Sequence, residues 1–96
     1  MTETITYLPA RAHLGYTFGV RLPAAVLRPG QVLVTWTEDC FGGAVATVDD
    51  LPSRVCRMPY LNPVTGPFHV EGAEPGDTLA VHFLSMVPAA TVGVSS

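Results

Sequence analysis

Proline and glycine occur so densely in this chain that only short secondary-structure elements fit between them. The 96 residues include nine glycines and nine prolines, and both residue types interrupt helices and favour turns. No long stretch has apolar residues at the three- and four-residue spacing of an amphipathic helix. We therefore expect one small domain, covering residues 1–96, made of short strands joined by turns.

Short runs of alternating apolar and polar residues predict where the strands lie. Residues 31–37 alternate in this way with many β-branched side chains, and residues 78–84 repeat the pattern. Four shorter candidate strands are residues 5–8, 24–27, 44–48 and 68–71. Residues 49–54 are predicted to be a loop with one helical turn, for which Asp50 is a candidate cap and Pro52 lies near the start.

Two Pro-Gly pairs predict two turns of the same kind. Pro29-Gly30 and Pro75-Gly76 each precede an alternating apolar run. Proline presets φ at the second turn position, and glycine supplies the positive φ that a type II turn requires at the third. We interpret the two turns as hairpin corners. Together these elements predict an all-β fold, a small sandwich-like or half-barrel domain with short Pro/Gly turns.

Charge and cysteine content argue against several classes of protein. The net charge is −3, with five arginines and no lysine, so we expect no nucleic-acid partner. Cys40 and Cys56 form neither a disulfide framework nor a Cys-x-x-Cys zinc knot. The sequence has no signal-peptide pattern and no apolar run of membrane-spanning length, so we expect a cytoplasmic protein without membrane contact.

The high apolar content has two interpretations. Hydrophobic residues make up 48% of the chain, which is high for a small soluble domain. They form a rich β core, or part of this apolar surface meets another chain or a missing second half. The sequence leaves both open.

Asp39 is the first candidate for chemistry. It follows a predicted strand and is separated by two residues from the pair Gly42-Gly43. A carboxylate at a strand end beside small residues can project into a cleft with room for a metal or substrate. On the residues alone, the favoured alternative is that Asp39 caps a turn and the glycines form a bulge. Cys40 has no base nearby in the sequence, so we interpret it as a packed small residue.

Glu74 is the second candidate, in the turn that contains Pro75-Gly76. It is a metal ligand or general base, or else a solvent-exposed turn carboxylate. Asp77 is expected to accept hydrogen bonds from turn amides. Glu71 is a further acidic candidate at a strand end, where it alternatively faces solvent.

The three histidines are far apart in the sequence. His13, His69 and His82 form no His-x-x-x-His ligand pair. We expect His82 to face outward or toward a partner, because it lies in an alternating strand.

Four segments together resemble one protein family. Residues 62–81 read NPVTGPFHVEGAEPGDTLAV, and YTF at 16–18, LRPGQV at 27–32 and TEDCFGG at 37–43 precede them in the same order. The chain resembles the front portion of the acetamidase/formamidase family, metal-associated hydrolases of small amides. Its later Gly-rich and His-containing motifs do not occur in these 96 residues.

The resemblance implies a set of site residues. Asp39 and Glu74 are implied as catalytic residues and ligands of a divalent metal, expected to be zinc, with His13 as a weaker ligand. The family histidine near the Tyr-Thr-Phe segment aligns with Gly15 or, displaced by two residues, with His13. The remaining implied residues form a wall of the substrate site, although a plain turn explains them equally well: Asn62, Thr65 and Gly66.

The resemblance also implies a function and a partner. The expected reaction is hydrolysis of a short linear amide to a carboxylate and ammonia, with a small-molecule amide as substrate. We expect a second protein chain to supply the missing C-terminal part, or else a homo-oligomer. Two alternatives stay open, namely a non-catalytic binding or assembly module that keeps the β-fold, and part of a lactam hydrolase.

Overall fold

Within the residues that the structure describes, four short strands and one short helix form the framework. The computed structural model describes residues 2–57, 60–90 and 93–95. A single 3₁₀ turn, Arg11–His13, follows the first strand. The strands and the helix, in chain order, are β1 (Thr4–Tyr7), β2 (Ala25–Leu27), β3 (Val32–Thr35), α1 (Pro52–Val55) and β4 (Phe68–Val70).

The strands pair in parallel as two separate two-stranded sheets. β1 pairs with β3, with Thr4 opposite Val32. β2 pairs with β4, with Ala25 opposite Phe68. Parallel neighbours require long connections, because the chain must return to the same end before it pairs again. The domain is therefore small and rich in strands, as the all-β prediction stated.

Four predicted strands are confirmed with slightly different ends, and two are wrong. Residues 78–84 form no strand, because no neighbouring strand lies beside them to complete a ladder of hydrogen bonds. Residues 44–48 are irregular and lead into a turn at Val48, because the carboxylate of Asp50 accepts hydrogen bonds from the backbone N–H groups of Ala46 and Thr47 at 2.8 and 3.0 Å. Such local side-chain bonds compete with strand pairing.

The helical turn α1 is confirmed, but its predicted cap is wrong. Pro52 occupies its first turn, where the missing N–H is not needed. The residue that precedes the helix is Leu51, which makes no side-chain capping bond. Asp50 is unavailable as a cap because its carboxylate already binds the amides of residues 46 and 47.

Both predicted Pro-Gly turns form, but neither is a hairpin corner. Gly30 and Gly76 have φ values of 89° and 94°. The side chains of Gln31 and Asp77 accept bonds of 2.7 and 2.8 Å from the amides that open the two turns, as expected for Asp77. The first turn joins β2 to β3, which belong to different sheets, and the second leads to unpaired residues. Turn type is set locally, whereas strand pairing is not.

Little of the apolar surface is buried within the described residues. Leu14 is the one hydrophobic residue that is buried there, at 7% exposure. Three side chains of the loop that follows Tyr16 are more than 90% exposed, namely Phe18, Val20 and Leu22. Residues 78–90 are exposed throughout. The interpretation of a rich β core is therefore wrong for the described part of one chain, where many large apolar side chains are exposed.

None of the helices in the described ranges combines the length and the apolar character that a bilayer crossing requires.

Candidate functional site

The end of β3 is hydrogen-bonded to two other segments of the chain. Trp36, the first residue after the strand, accepts a 2.8 Å hydrogen bond at its carbonyl oxygen from the Thr65 hydroxyl. Its indole N–H donates to the carbonyl oxygen of Pro9 at 2.8 Å. One residue earlier, the Thr35 hydroxyl donates to the carbonyl oxygen of Tyr7 at 2.6 Å. These bonds bring the segment after β1 and the loop around residue 65 to the same end of β3.

The carboxylate of Asp39 organises its own loop. Its Oδ1 accepts hydrogen bonds from the backbone N–H groups of Phe41 and Gly43, at 2.8 and 3.1 Å. Gly43 has a φ of 80°, a conformation that glycine adopts without strain. The structural alternative for Asp39, a turn cap, is therefore confirmed. These bonds fix the direction of the carboxylate, which stays half-buried.

A salt bridge attaches the Asp39 loop to the 3₁₀ turn that contains His13. Arg11 Nε donates to Glu38 Oε2. The other oxygen of Glu38 accepts the backbone N–H of Asp39 at 3.0 Å. The Glu38 side chain is 9% exposed, whereas that of Arg11 is 69% exposed, so only the carboxylate of this pair is shielded from solvent. Sequence reasoning missed both residues, since 27 positions separate them and neither lies in a local motif.

The loop of residues 62–66 lies between the Asp39 loop and the segment that follows the 3₁₀ turn. The Asn62 N–H donates to the carbonyl oxygen of Cys40 at 2.8 Å. Val64 and Gly15 form an antiparallel bridge, with N–H···O distances of 2.8 and 2.9 Å. The Thr65 hydroxyl and the Gly66 carbonyl oxygen are both engaged by bonds within the protein. The loop is held by backbone and side-chain bonds along its whole length.

Arg21 connects two of these segments. Its Nη1 donates to the carbonyl oxygen of Gly66 at 3.1 Å, and its Nη2 donates to the carbonyl oxygen of His13 at 3.0 Å. A methyl group at Gly15 would overlap the guanidinium, so the absence of a side chain there makes room for Arg21. The sequence carries no local signal for this arrangement, because the bond to Gly66 spans 45 positions.

Two aromatic side chains border the same region. Tyr16 follows the Gly15 bridge, and Tyr60 precedes the 62–66 loop. Their rings meet edge to face, with centroids 5.3 Å apart and an interplanar angle of 70°. This geometry is favourable for aromatic pairs. Both rings are also partly exposed, at 44% and 55%, so they present an aromatic surface beside the loop.

Glu74 lies away from these segments. Its turn packs near the start of β3, where Pro29 and residues 70–73 line an open hollow. Arg28, in the turn before β3, pairs with Glu71 at 3.4 Å. Asp39 lies four residues past the other end of β3, and the strand alone spans about 10 Å at ~3.3 Å per residue. The two carboxylates predicted to act together thus lie at opposite ends of β3.

The three histidines remain apart and exposed. His13 lies in the 3₁₀ turn, His69 in β4, and His82 in the unpaired residues after the second turn. His13 alone is joined to the Asp39 side of β3, through its neighbour Arg11 and through the bond of its carbonyl oxygen to Arg21. The outward orientation expected of His82 agrees with its exposure.

The predicted ligands do not form a metal centre by themselves. Across residues 2–57, 60–90 and 93–95, no three His, Cys, Asp or Glu side chains group so that they could hold a metal ion. A zinc site takes three or four protein ligands. Asp39 and His13 share one neighbourhood, whereas Glu74 does not. The zinc site that the resemblance implies therefore stays a prediction, and it needs ligands beyond those that lie together among the described residues.

Comparison with known proteins identifies the family. The family model described as the acetamidase/formamidase family matches residues 20–94 of the 96-residue chain. Because this match covers most of the sequence, the chain belongs to the acetamidase/formamidase family. Neither the search of curated proteins nor the search of solved structures gives a match.

Proposed function

We propose that the chain is part of an amide hydrolase that cleaves short linear amides, such as formamide and acetamide, to a carboxylate and ammonia. The observation that carries the proposal is the family match over residues 20–94. The convergence of three site segments at one end of β3 supports it. In this proposal the amide substrate binds beside the 62–66 loop, near Tyr16 and Tyr60.

Amide hydrolysis needs an oriented nucleophile and a donor for the tetrahedral oxyanion. We assign the first task to Asp39, whose carboxylate is fixed by the amides of Phe41 and Gly43 and orients the attacking water. Asn62, Thr65 and Gly66 belong to the wall of the proposed substrate site, and the Thr65 hydroxyl and the Gly66 carbonyl oxygen are engaged by bonds within the protein.

The catalytic and ligand roles predicted for Glu74 stay predictions, and because its neighbours Ala73 and Asp77 lie beside Pro29, before β3, these roles require that further groups come from another chain. The prediction that a divalent metal, expected to be zinc, binds Asp39 and His13 needs further ligands, and a second chain is the proposed source. Metal analysis of protein purified without chelators tests it. About one zinc per chain, lost in Asp39→Asn, would support the prediction, and no retained metal would oppose it.

The proposed partner is a second chain that carries the later part of the family fold, with a second copy of this chain as the alternative. Phe18, Val20 and Leu22 support the need for a partner, since side chains so exposed and apolar are typical of interfaces. Light scattering coupled to size exclusion distinguishes the two. A stable homodimer of the purified chain supports the second copy, and a monomer that associates only with the co-expressed chain supports the first.

The test of the function is ammonia release from formamide and acetamide, with zinc added. The chain is assayed alone and with a co-expressed chain that carries the later part of the family fold. Activity in the mixture supports an amidase assembled from two chains, and activity of the chain alone supports self-assembly. The same assay with a lactam in place of the linear amides tests the cyclic-amide alternative.

A second candidate function is a non-catalytic binding or assembly module. The observation that favours it is the engagement of Asp39 Oδ1 by two backbone amides, which gives this carboxylate a structural task independent of catalysis. Stable complex formation without ammonia release from any amide would support this candidate over the amidase.

A further inference from the structure

Among the residues that the structure describes, the Arg21 side chain donates hydrogen bonds to backbone oxygens alone. Its two terminal nitrogens donate to the carbonyl oxygens of Gly66 and His13, at 3.1 and 3.0 Å. Neither salt bridge found among the described residues includes it. The planar guanidinium reaches two acceptors with its two outer N–H groups at once, a geometry that the single ammonium of lysine does not reproduce.

Gly15 is matched to this arginine. The position where a Cβ would stand at Gly15 is filled by the Arg21 guanidinium. Gly15 also carries the two-way backbone bridge to Val64, inside the 62–66 loop. The guanidinium and the bridge therefore bind the same two segments side by side, one through Gly66 and His13, the other through Val64 and Gly15.

From these contacts we infer that Arg21 is a positioning residue, which clamps the 62–66 loop to residues 13–15. Gly15 supplies the space for the clamp. The clamp sets where Asn62 and Thr65 stand relative to the end of β3. The effect of the clamp on substrate binding rests on the proposed amidase function. The clamp itself is a property of the fold, and it is tested by measurements that need no enzyme activity.

Residue-resolved amide hydrogen exchange tests the clamp directly. Removing two hydrogen bonds made by a charged donor should loosen the Gly15–Val64 bridge. In Arg21→Ala we expect the Gly15 and Val64 amides to exchange about tenfold faster or more, because bonds to charged groups are stronger than neutral ones. The amides of the β1–β3 ladder, such as Val34, should keep their rates.

Matched arginine variants separate the clamp from a general loss of charge. Arg28→Ala removes an exposed arginine that pairs with Glu71 in a different turn, so the exchange of Gly15 and Val64 should not change. Arg21→Lys keeps the charge but not the two-pronged geometry, and we expect it to restore less than half of the lost protection. Equal exchange of the two bridge amides in wild type and Arg21→Ala would overturn the inference.

A double variant checks the match between Gly15 and Arg21. Gly15→Ala should displace the guanidinium, the far end of a flexible side chain, and so break the same two bonds that Arg21→Ala removes. The pair Gly15→Ala/Arg21→Ala should therefore have about the same Tm as Gly15→Ala alone, with Gly93→Ala as the neutral glycine control. Additive effects of the two substitutions would contradict the proposed match.

Kinetics of the assembled enzyme extend the test to substrate. Arg21→Ala should raise KM for formamide more than it lowers kcat, because it displaces the wall and leaves Asp39 in place. A fall in kcat alone, with KM unchanged, would overturn this positioning role. If the wild-type assembly releases no ammonia, the amidase proposal fails while the exchange result still decides the clamp.

Discussion

Replacing Asp39 separates its structural task from its proposed chemical one. Asp39→Ala removes both bonds from the Asp39 carboxylate to the amides of Phe41 and Gly43. Hydrogen bonds to a charged acceptor contribute about 1.5–3 kcal/mol each. Partial exposure reduces this sum, and we expect a loss of about 2 kcal/mol in the free energy of unfolding. Asp39→Asn keeps an oxygen acceptor at the same position and should lose about 1 kcal/mol or less.

Urea denaturation measures the difference, with fluorescence of Trp36 as the probe. Trp36 is the single tryptophan of the chain and lies three residues before Asp39, so it reports on the relevant end of β3. Asp49→Ala is the control, because Asp49 is an exposed aspartate in the neighbouring loop. If Asp39→Ala unfolds at the same urea concentration and slope as Asp49→Ala, the carboxylate does not hold its loop and our reasoning about the site fails.

Three further predictions concern single contacts. Thr65→Val should lower the free energy of unfolding by about 1 kcal/mol, because the carbonyl oxygen of Trp36 loses its donor, and unchanged stability would contradict this. Gly76→Ala should lower the free energy of unfolding by about 1–2 kcal/mol because of the positive φ of Gly76, since no atom lies near the added methyl group. Gly93 has no positive φ, so Gly93→Ala should lower the free energy of unfolding much less in the same thermal unfolding assay. Backbone N–H donors lower the pKa of Asp50, so its stabilisation is complete above the ordinary aspartate value of about 3.9 and is lost as the pH falls through the lowered pKa. Denaturation at a series of pH values should show that the wild type loses stability at acid pH and that Asp50→Asn loses less. Equal dependence of the free energy of unfolding on pH in the two proteins would refute the prediction.

Features that depend on adjacent residues could be predicted from the sequence. The Pro-Gly turns form because φ at Gly30 and Gly76 is decided within four residues. The turn cap by Asp39 was the favoured alternative on the residues alone, for the same local reason. The helical turn at Pro52 is confirmed, whereas its predicted cap is wrong. The carboxylate of Asp50 could accept bonds from the first amides of the helix or from those of Ala46 and Thr47, and it accepts the latter.

Features that depend on distant residues could not be predicted. The alternation of apolar and polar residues predicts that residues 78–84 are extended. A strand also needs a neighbouring strand to pair with, and the pattern does not show which segment that is. The parallel pairing of β2 with β4 joins residues more than 40 positions apart. A local pattern does not show such a pairing, and the prediction that the two turns are hairpin corners is wrong for this reason. The separation of Glu74 from Asp39 follows from the same pairing. Arg21 had no motif at all, since its role exists only once Gly15 and Gly66 meet.

The most direct test of the central claim is the kcat/KM for formamide of the assembled protein, wild type against Asp39→Asn. We predict ammonia release by the wild type and a loss of about 100-fold or more in Asp39→Asn, the scale expected when a positioned catalytic carboxylate is neutralised. Asp49→Asn should retain wild-type activity. An Asp39→Asn protein as active as the wild type, or a wild-type assembly that releases no ammonia from formamide or acetamide, would contradict the account.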